Sequence, residues 1–148
     1  FIKKNCNNKI PKSKNLNTSD RKLLDNLKNN IPKLINLMNN QELNEYIKMV
    51  VQFAFDANKY FNDAEPWAVK KKNPERMKSI MFTVAQQIKN ISILLNPIIP
   101  NTTNKVLSLM NVSIDDINIG MIHDDNSLNH EKELENLEIL FKKIENDN

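Results

Sequence analysis

Apolar side chains recur every three or four positions between residues 19 and 110, which is the spacing of one face of an α-helix. The first run follows Thr18 and Ser19, and either residue can cap a helix. Asp20 then lies in the first turn, where the helix dipole favours an acid. Pro32 falls inside the run and predicts a kink or a split, because proline removes an amide donor.

A second apolar run predicts a helix over about 41–62. It is preceded by Asn39 and Glu42, whose three-residue separation is that of a capping box. Apolar residues cover much of its circumference, a pattern typical of a buried helix. We therefore expect this helix to be the central one of a bundle.

Proline and asparagine divide the next part of the chain. Pro66 should end the second helix, so that Trp67 lies in or just after a loop. The triplet 73–75, Asn-Pro-Glu, is a helix start with a cap, a first-turn proline and an acid near the positive end. Pro97 should stop that helix, and a shorter one is predicted over about 99–110.

The two ends of the chain are less regular. Residues 1–8 resemble the end of a helix, and 9–18 a loop rich in Asn and Ser. Residues 111–130 are loop-like, with a possible helical turn at 113–118. The apolar spacing within 131–145 is helical, which leaves a helix or an extended segment open there.

Composition limits the possible functions. A chain of 148 residues fits one domain with a core. Its single Gly excludes glycine-rich phosphate loops, and with the helical periodicity it favours an all-α fold. The one cysteine, Cys6, cannot form an internal disulfide and indicates an ordinary thiol of a cytoplasmic protein. There is no run of 18 apolar residues, so no membrane span is predicted.

Charge is unevenly distributed along the chain. The net formal charge is +3, yet residues 1–22 carry seven Lys or Arg and one Asp. Residues 115–148 carry ten Asp or Glu and three Lys. A basic front and an acidic tail are compatible with a polyanionic partner on one face, or with ordinary solvated surface charge.

Several ordered motifs give the chain a family resemblance. Residues 57–67, Ala-Asn-Lys-Tyr-Phe-Asn-Asp-Ala-Glu-Pro-Trp, are followed by the 93–100 segment Ile-Leu-Leu-Asn-Pro-Ile-Ile-Pro. Near the end, residues 139–145 read Ile-Leu-Phe-Lys-Lys-Ile-Glu. This order resembles the A-N-x-Y, P-W, I-L-L-x-P-x-x-P and L-F-P-R-I-E elements of methionyl-tRNA synthetases, with Lys142 in place of the last proline. The family's matching region is its C-terminal, all-helical anticodon-binding domain.

The family's catalytic signatures do not occur in this sequence. H-I-G-H, K-M-S-K-S and the zinc-binding Cys clusters are all missing. The chain also starts at Phe1, in what resembles a helix already under way. We therefore expect a C-terminal fragment of the enzyme, with the catalytic domain upstream in the same chain. The resemblance implies methionine, ATP and Mg for that parent enzyme, and no cofactor and no catalytic residue for the fragment.

Trp67, the only tryptophan, is the foremost candidate for RNA contact. An indole can stack on an unpaired base, and anticodon loops supply such bases. The resemblance implies that this Trp stacks on an anticodon base and that Pro66 belongs to the same site. Asn58 could read a base edge through its amide, or serve structurally deep in the second helix through the backbone or Tyr60. Its position after Pro66, outside the second helix, predicts a partly exposed Trp67; a buried core role is the alternative.

Basic residues that follow Trp67 are the candidate phosphate contacts: Lys70, Lys71, Lys72 and Arg76. An exposed linker is the alternative interpretation. His123 and His130 lie in an acidic stretch, but their spacing matches no known metal site, and a solvated tail is the favoured interpretation. No nucleophile–base grouping is present.

We therefore predict an all-α bundle of about five helices, the anticodon-binding domain of a class I aminoacyl-tRNA synthetase. One domain should cover 1–145, with 1–8 the end of a truncated helix and 111–148 an irregular C-terminal return segment. The expected partner is tRNA(Met), read at its CAU anticodon, for cytoplasmic protein synthesis, with no role for DNA or membranes. The alternatives are the same domain of another class I synthetase, or a helical protein-interaction module.

Overall fold

The computed structural model describes residues 1–115, 117–124 and 127–135. Within these ranges the chain is helical and contains no strand, which confirms the predicted fold class. Six helices have seven residues or more, one more than the predicted five, and two are single turns. In chain order they are α1 (Ile2–Asn5), α2 (Thr18–Asn29), α3 (Ile31–Asn39), α4 (Leu43–Ala64), α5 (Pro66–Lys72), α6 (Pro74–Leu95), α7 (Pro100–Leu109) and α8 (Gly120–His123).

The central helix is α6, not α4 as the apolar pattern predicted. Helix α6 contacts α2, α4, α5, α7 and α8, and fourteen of its residues are buried. Helix α4 buries only four residues, and its Phe55 is 64% exposed. The apolar pattern failed to identify α6 because this helix buries polar side chains, among them Thr83 and Gln87. Buried polar residues lower the apparent hydrophobicity of a helix. Being surrounded on several sides makes a helix central, and local sequence does not encode this.

Helix boundaries follow the predicted breaks with small shifts. The cap of α2 is Asn17 rather than Thr18 or Ser19, since its Oδ1 accepts the Asp20 backbone N–H and Asp20 accepts the Asn17 N–H in return. Pro32 splits the first run as expected, because α3 starts at Ile31 with the proline in its first turn.

The proposed capping box of Asn39 and Glu42 is wrong. Asn39 is the last residue of α3, and Glu42 precedes α4 without a side-chain cap hydrogen bond. The break itself is made by the backbone of Gln41, which takes a positive φ of 59°. The start of α6 is as predicted, with the Asn73 Oδ1 accepting the Arg76 N–H at 3.0 Å.

The described part of the C-terminal region lies against the N-terminal segment of the chain. Its single helical turn is α8, whereas the expected turn at 113–118 is absent from the described residues 113–115 and 117–118. The Leu134 N–H donates to the Asn8 carbonyl at 2.7 Å, and the Asn8 side chain donates back to the Leu134 carbonyl at 3.1 Å. The motif at 139–145 and the last part of the predicted return segment, 136–148, lie outside the described residues, so the 1–145 boundary stays a prediction.

Candidate RNA interface at the Trp67 end of the bundle

A one-residue break between α4 and α5 presents Trp67. Glu65 lies between the helices in the left-handed conformation, with φ 46° and ψ 58°. Its carbonyl accepts the N–H groups of Ala68 and Val69 at 2.9 and 3.0 Å, which closes the first turn of α5. Pro66 follows at the first helical position, where its fixed φ is favourable. The expected interruption is therefore real, but it is a sharp turn rather than a loop.

Trp67 lies in the first turn of α5 and is 46% exposed. This confirms that the side chain is partly accessible and excludes a role as a fully buried core residue. Its ring contacts Phe61 of α4, with centroids 5.7 Å apart and planes at 63°. An edge contact of this kind is a favoured geometry for two aromatic rings. The indole is thus supported by the bundle while nearly half of it faces solvent.

Two of the three α5 lysines share the Trp67 side of that helix. Lys70 and Lys71 lie three and four residues after Trp67, which is the spacing of one helix face. Lys72 is five residues on and is turned away. All three are exposed, and their charges lie in the last turn, where the helix dipole favours cations. Lys70 Nζ donates to Asn5 Oδ1 at 2.5 Å, which ties α5 to α1.

The prediction that Arg76 contacts phosphate is not supported, because its guanidinium is already paired inside the bundle. Its two Nη groups donate to the two oxygens of Asp20 at 2.6 and 2.8 Å. Asp20 is completely buried at the start of α2. The Tyr60 hydroxyl donates to the same carboxylate at 2.5 Å. Arg76 therefore holds α6 to α2, and Tyr60 brings α4 into the same contact.

Burial and hydrogen bonding oppose one another at Asp20. Burial alone would raise the pKa of this carboxyl group, because desolvation disfavours the charged form. The hydrogen bonds from Arg76, Tyr60 and the Asn17 backbone outweigh burial and lower the pKa of Asp20 below its ordinary value. Burial and the Asp20 charge together raise the pKa of Tyr60. The site behind Trp67 thus rests on an ionised aspartate.

The other two residues of the predicted anticodon site occupy different environments. Pro66 is buried, so it positions Trp67 and offers no surface of its own. Asn58 is exposed on α4, which contradicts the expectation that it lies deep in the helix as a structural amide. Asn58 precedes Phe61 by three residues and so lies on the same side of α4 as the ring that contacts Trp67.

The two histidines lie in different environments. No group of three potential ligands occurs among the described residues. His130 is not a solvated tail residue, because its Nδ1 is 2.9 Å from the Ile10 carbonyl and its ring stacks on Phe82. A carbonyl only accepts, so Nδ1 carries the proton. His123 is exposed at the end of α8.

Two important residues escaped the sequence patterns because their partners are distant in sequence. Asp20 was recognised only as a helix-start acid, although Arg76 lies 56 residues away. Lys89 is completely buried on α6, and its Nζ donates to the Met121 carbonyl, the Asp124 carbonyl and Ser127 Oγ. Neither signal is periodic, so neither could be found along the chain. None of the described helices is long and apolar enough to cross a membrane.

Comparison with known proteins gives a consistent result. A family model described as the anticodon binding domain of methionyl tRNA ligase matches residues 10–148. The methionine–tRNA ligase of Mesorhizobium japonicum is 29% identical over 128 residues, which are 86% of this chain and 25% of that protein. The methionine–tRNA ligase of Methanococcus aeolicus is 36% identical over 132 residues, or 89% of this chain and 18% of its own length.

Solved structures agree at the level of the fold. The apo form of Mycobacterium tuberculosis methionyl-tRNA synthetase superposes with a TM-score of 0.89 at 17% identity, covering 98% of this chain and 30% of that one. The same enzyme in complex with methionyl-adenylate gives a TM-score of 0.87 at 16% identity, covering 96% and 28%. The chain spans a quarter or less of the length of these curated relatives.

Proposed function

The chain belongs to the family of anticodon-binding domains of methionyl-tRNA ligases, and from this premise we propose that its Trp67 end binds the anticodon of tRNA(Met). In this proposal the indole stacks on an unpaired anticodon base, and Lys70 and Lys71 contact the neighbouring phosphates. Asn58 is the candidate reader of a base edge. The bound loop carries the CAU anticodon, and the far end of the tRNA reaches a catalytic domain in the same protein.

The observation that supports this proposal best is the exposed indole beside two lysines on one helix face. Trp67 is 46% exposed, although 21 hydrophobic residues in the described part of the chain are buried. Stacking platforms next to cations are the usual means of binding unpaired nucleotides, because every base has an aromatic face and every linkage a negative charge.

The proposal extends to the enzyme that would contain this domain. That protein would ligate methionine to tRNA in the cytoplasm, using ATP and Mg at a site outside these residues. In this proposal the chain itself contributes no catalytic residue. The chain would contribute recognition, which raises the efficiency of charging for the correct tRNA. A search for H-I-G-H and K-M-S-K-S in the sequence of the enzyme that would contain this domain tests this part of the proposal directly.

The decisive experiment measures two reactions of the full-length enzyme with Trp67→Ala. Loss of one stacked base should lower the aminoacylation kcat/KM by about 1–3 kcal/mol, or roughly tenfold to more than a hundredfold. Methionine-dependent ATP–pyrophosphate exchange should hardly change, because that reaction needs no tRNA. Trp67→Phe should retain part of the aminoacylation activity, since a smaller aromatic face still stacks.

Matched control variants distinguish the loss of an RNA contact from the effect of removing any exposed aromatic or basic side chain. Phe55→Ala removes another exposed aromatic ring, from α4, and should leave both reactions unchanged. Lys71→Ala should weaken binding of cognate and non-cognate tRNA alike and reduce its salt dependence, whereas Lys105→Ala on α7 should not. If Trp67→Ala impairs both reactions equally and lowers the melting temperature strongly, Trp67 is structural and the proposal is wrong. An unchanged tRNA affinity would instead favour a protein-interaction module.

A further inference from the structure

Three aromatic rings from three parts of the chain form a row at the Trp67 end of the bundle. Phe1 precedes α1, Phe61 belongs to α4 and Trp67 to α5. The Phe1 and Phe61 centroids are 6.2 Å apart with planes at 83°, and those of Phe61 and Trp67 are 5.7 Å apart at 63°. Both contacts are edge-to-face. Phe61 is the middle ring and the only one that contacts both others.

Phe61 also connects the exposed indole to the interior. It is half-buried and packs against a core cluster formed by Met77, Ile80 and Met81 of α6. One side of its ring system is therefore fixed by the most buried helix of the bundle. Close-packed interiors leave little room for movement, so a ring held by the core can in turn limit the movement of a surface side chain that it contacts.

A second, polar connection joins the segments that carry Phe1 and Trp67. Asn5 accepts the Lys70 Nζ–H through Oδ1 and donates through Nδ2 to the Phe1 carbonyl at 3.0 Å. This side chain, at the end of α1, joins Phe1 to the last turn of α5. The two chain segments that carry the outer rings, Phe1 and Trp67, are thus tied together.

We propose that Phe61 is a positioning residue that sets the tilt of the Trp67 indole and holds it ready for stacking. The proposal rests on the RNA-binding role of Trp67 given above. Without the Phe61 edge, the indole could rotate among its side-chain conformers, and binding would have to immobilise it. A ring that is already held avoids that entropic cost, which is the general advantage of preorganised sites.

The single tryptophan allows a direct measurement in the 148-residue chain. Time-resolved fluorescence anisotropy of Trp67 reports its local motion, and titration with transcribed tRNA(Met) reports binding. Phe61→Leu should increase the fast component of the anisotropy decay and weaken tRNA binding about two- to tenfold. Phe61→Tyr keeps an aromatic edge and should restore both quantities.

Two leucine substitutions in the same helix provide matched controls. Phe53→Leu changes a buried ring that packs in the other core cluster, and Phe55→Leu changes an exposed one. Phe53→Leu should lower stability but leave indole motion and tRNA affinity unchanged, and Phe55→Leu should alter none of the three. An indole that stays rigid in Phe61→Leu, or tRNA affinity that does not fall, overturns the positioning role.

Failure of the proposed function gives a different result. In that case Trp67→Ala itself leaves tRNA affinity unchanged, a result that does not depend on Phe61. If Trp67→Ala weakens binding while Phe61→Leu does not, then the RNA-binding role holds and the positioning role is refuted.

Discussion

Arg76→Met is the substitution that best tests how this site is built. Arg76 donates two hydrogen bonds to the carboxylate of Asp20, which is completely buried. Methionine keeps much of the side-chain length but removes the charge and both donors. Asp20 would then retain only the Tyr60 hydroxyl and the Asn17 N–H as partners. A buried carboxylate would be left without a counter-ion.

The expected loss is large on the scale of domain stability. Removing one partner of a buried ion pair costs about 3–5 kcal/mol, because the remaining charge is desolvated and uncompensated. The Arg76 side chain is 23% exposed, so water can partly replace it, and we expect the lower end of this range. Domains have a total stability of only about 5–15 kcal/mol. The variant should therefore unfold at a clearly lower urea concentration.

Urea unfolding of the 148-residue chain, followed by far-UV circular dichroism, measures this loss. A double-mutant cycle with Asp20→Asn then isolates the pair. The double variant buries no unpaired charge, so it should be more stable than Arg76→Met alone. Arg76→Lys keeps the charge but loses the bidentate geometry, and we expect an intermediate loss.

The pH dependence provides an independent check of the same pair. The pKa of Asp20 is lowered in the folded state, so the folded protein binds fewer protons there than the unfolded chain. Its contribution is therefore fully present above the unfolded pKa, about 3.9, and is lost as the pH falls towards the folded value. Asp20→Asn should flatten this acid limb of the stability curve.

Two results would refute this reasoning. If Arg76→Met changes the free energy of unfolding by less than about 0.5 kcal/mol, as ordinary surface substitutions do, then Asp20 does not depend on Arg76. If Arg76→Met instead leaves stability intact and reduces the salt dependence of tRNA binding, then Arg76 is a phosphate contact after all. The sequence-based interpretation would then be correct and the observed pair unimportant.

Three further substitutions test other parts of the structure. Tyr60→Phe removes one donor to Asp20 and should cost about 1–3 kcal/mol, while raising the pKa of Asp20; urea unfolding and NMR titration measure these effects. Lys89→Met removes the buried ammonium that donates to the Met121 carbonyl, the Asp124 carbonyl and Ser127 Oγ, so we expect a loss of about 1–3 kcal/mol in urea unfolding and faster hydrogen exchange of the Ser127 N–H. Asn73→Ala removes the α6 cap and should cost about 1 kcal/mol in thermal unfolding, with no loss expected from Asn73→Asp.

The helices and their breaks were predictable because their causes are local. Pro32, Pro66 and Pro97 each remove a donor, and the Asn73 cap needs only the three residues after it. The family resemblance was also readable from ordered motifs, and the match over residues 10–148 confirms it. The exposure of Trp67 followed from its position just after a forced break.

Tertiary structure alone decided which helix is central and what the charged residues do. The apolar pattern predicted α4 as the central helix, but α6 contacts five other helices and buries several of its polar residues. The sequence shows Arg76 as one more cation in a basic run. Only the fold brings Arg76 and Tyr60 to Asp20, because they lie 56 and 40 residues from it along the chain. The energy of the buried Asp20 charge depends on these distant partners.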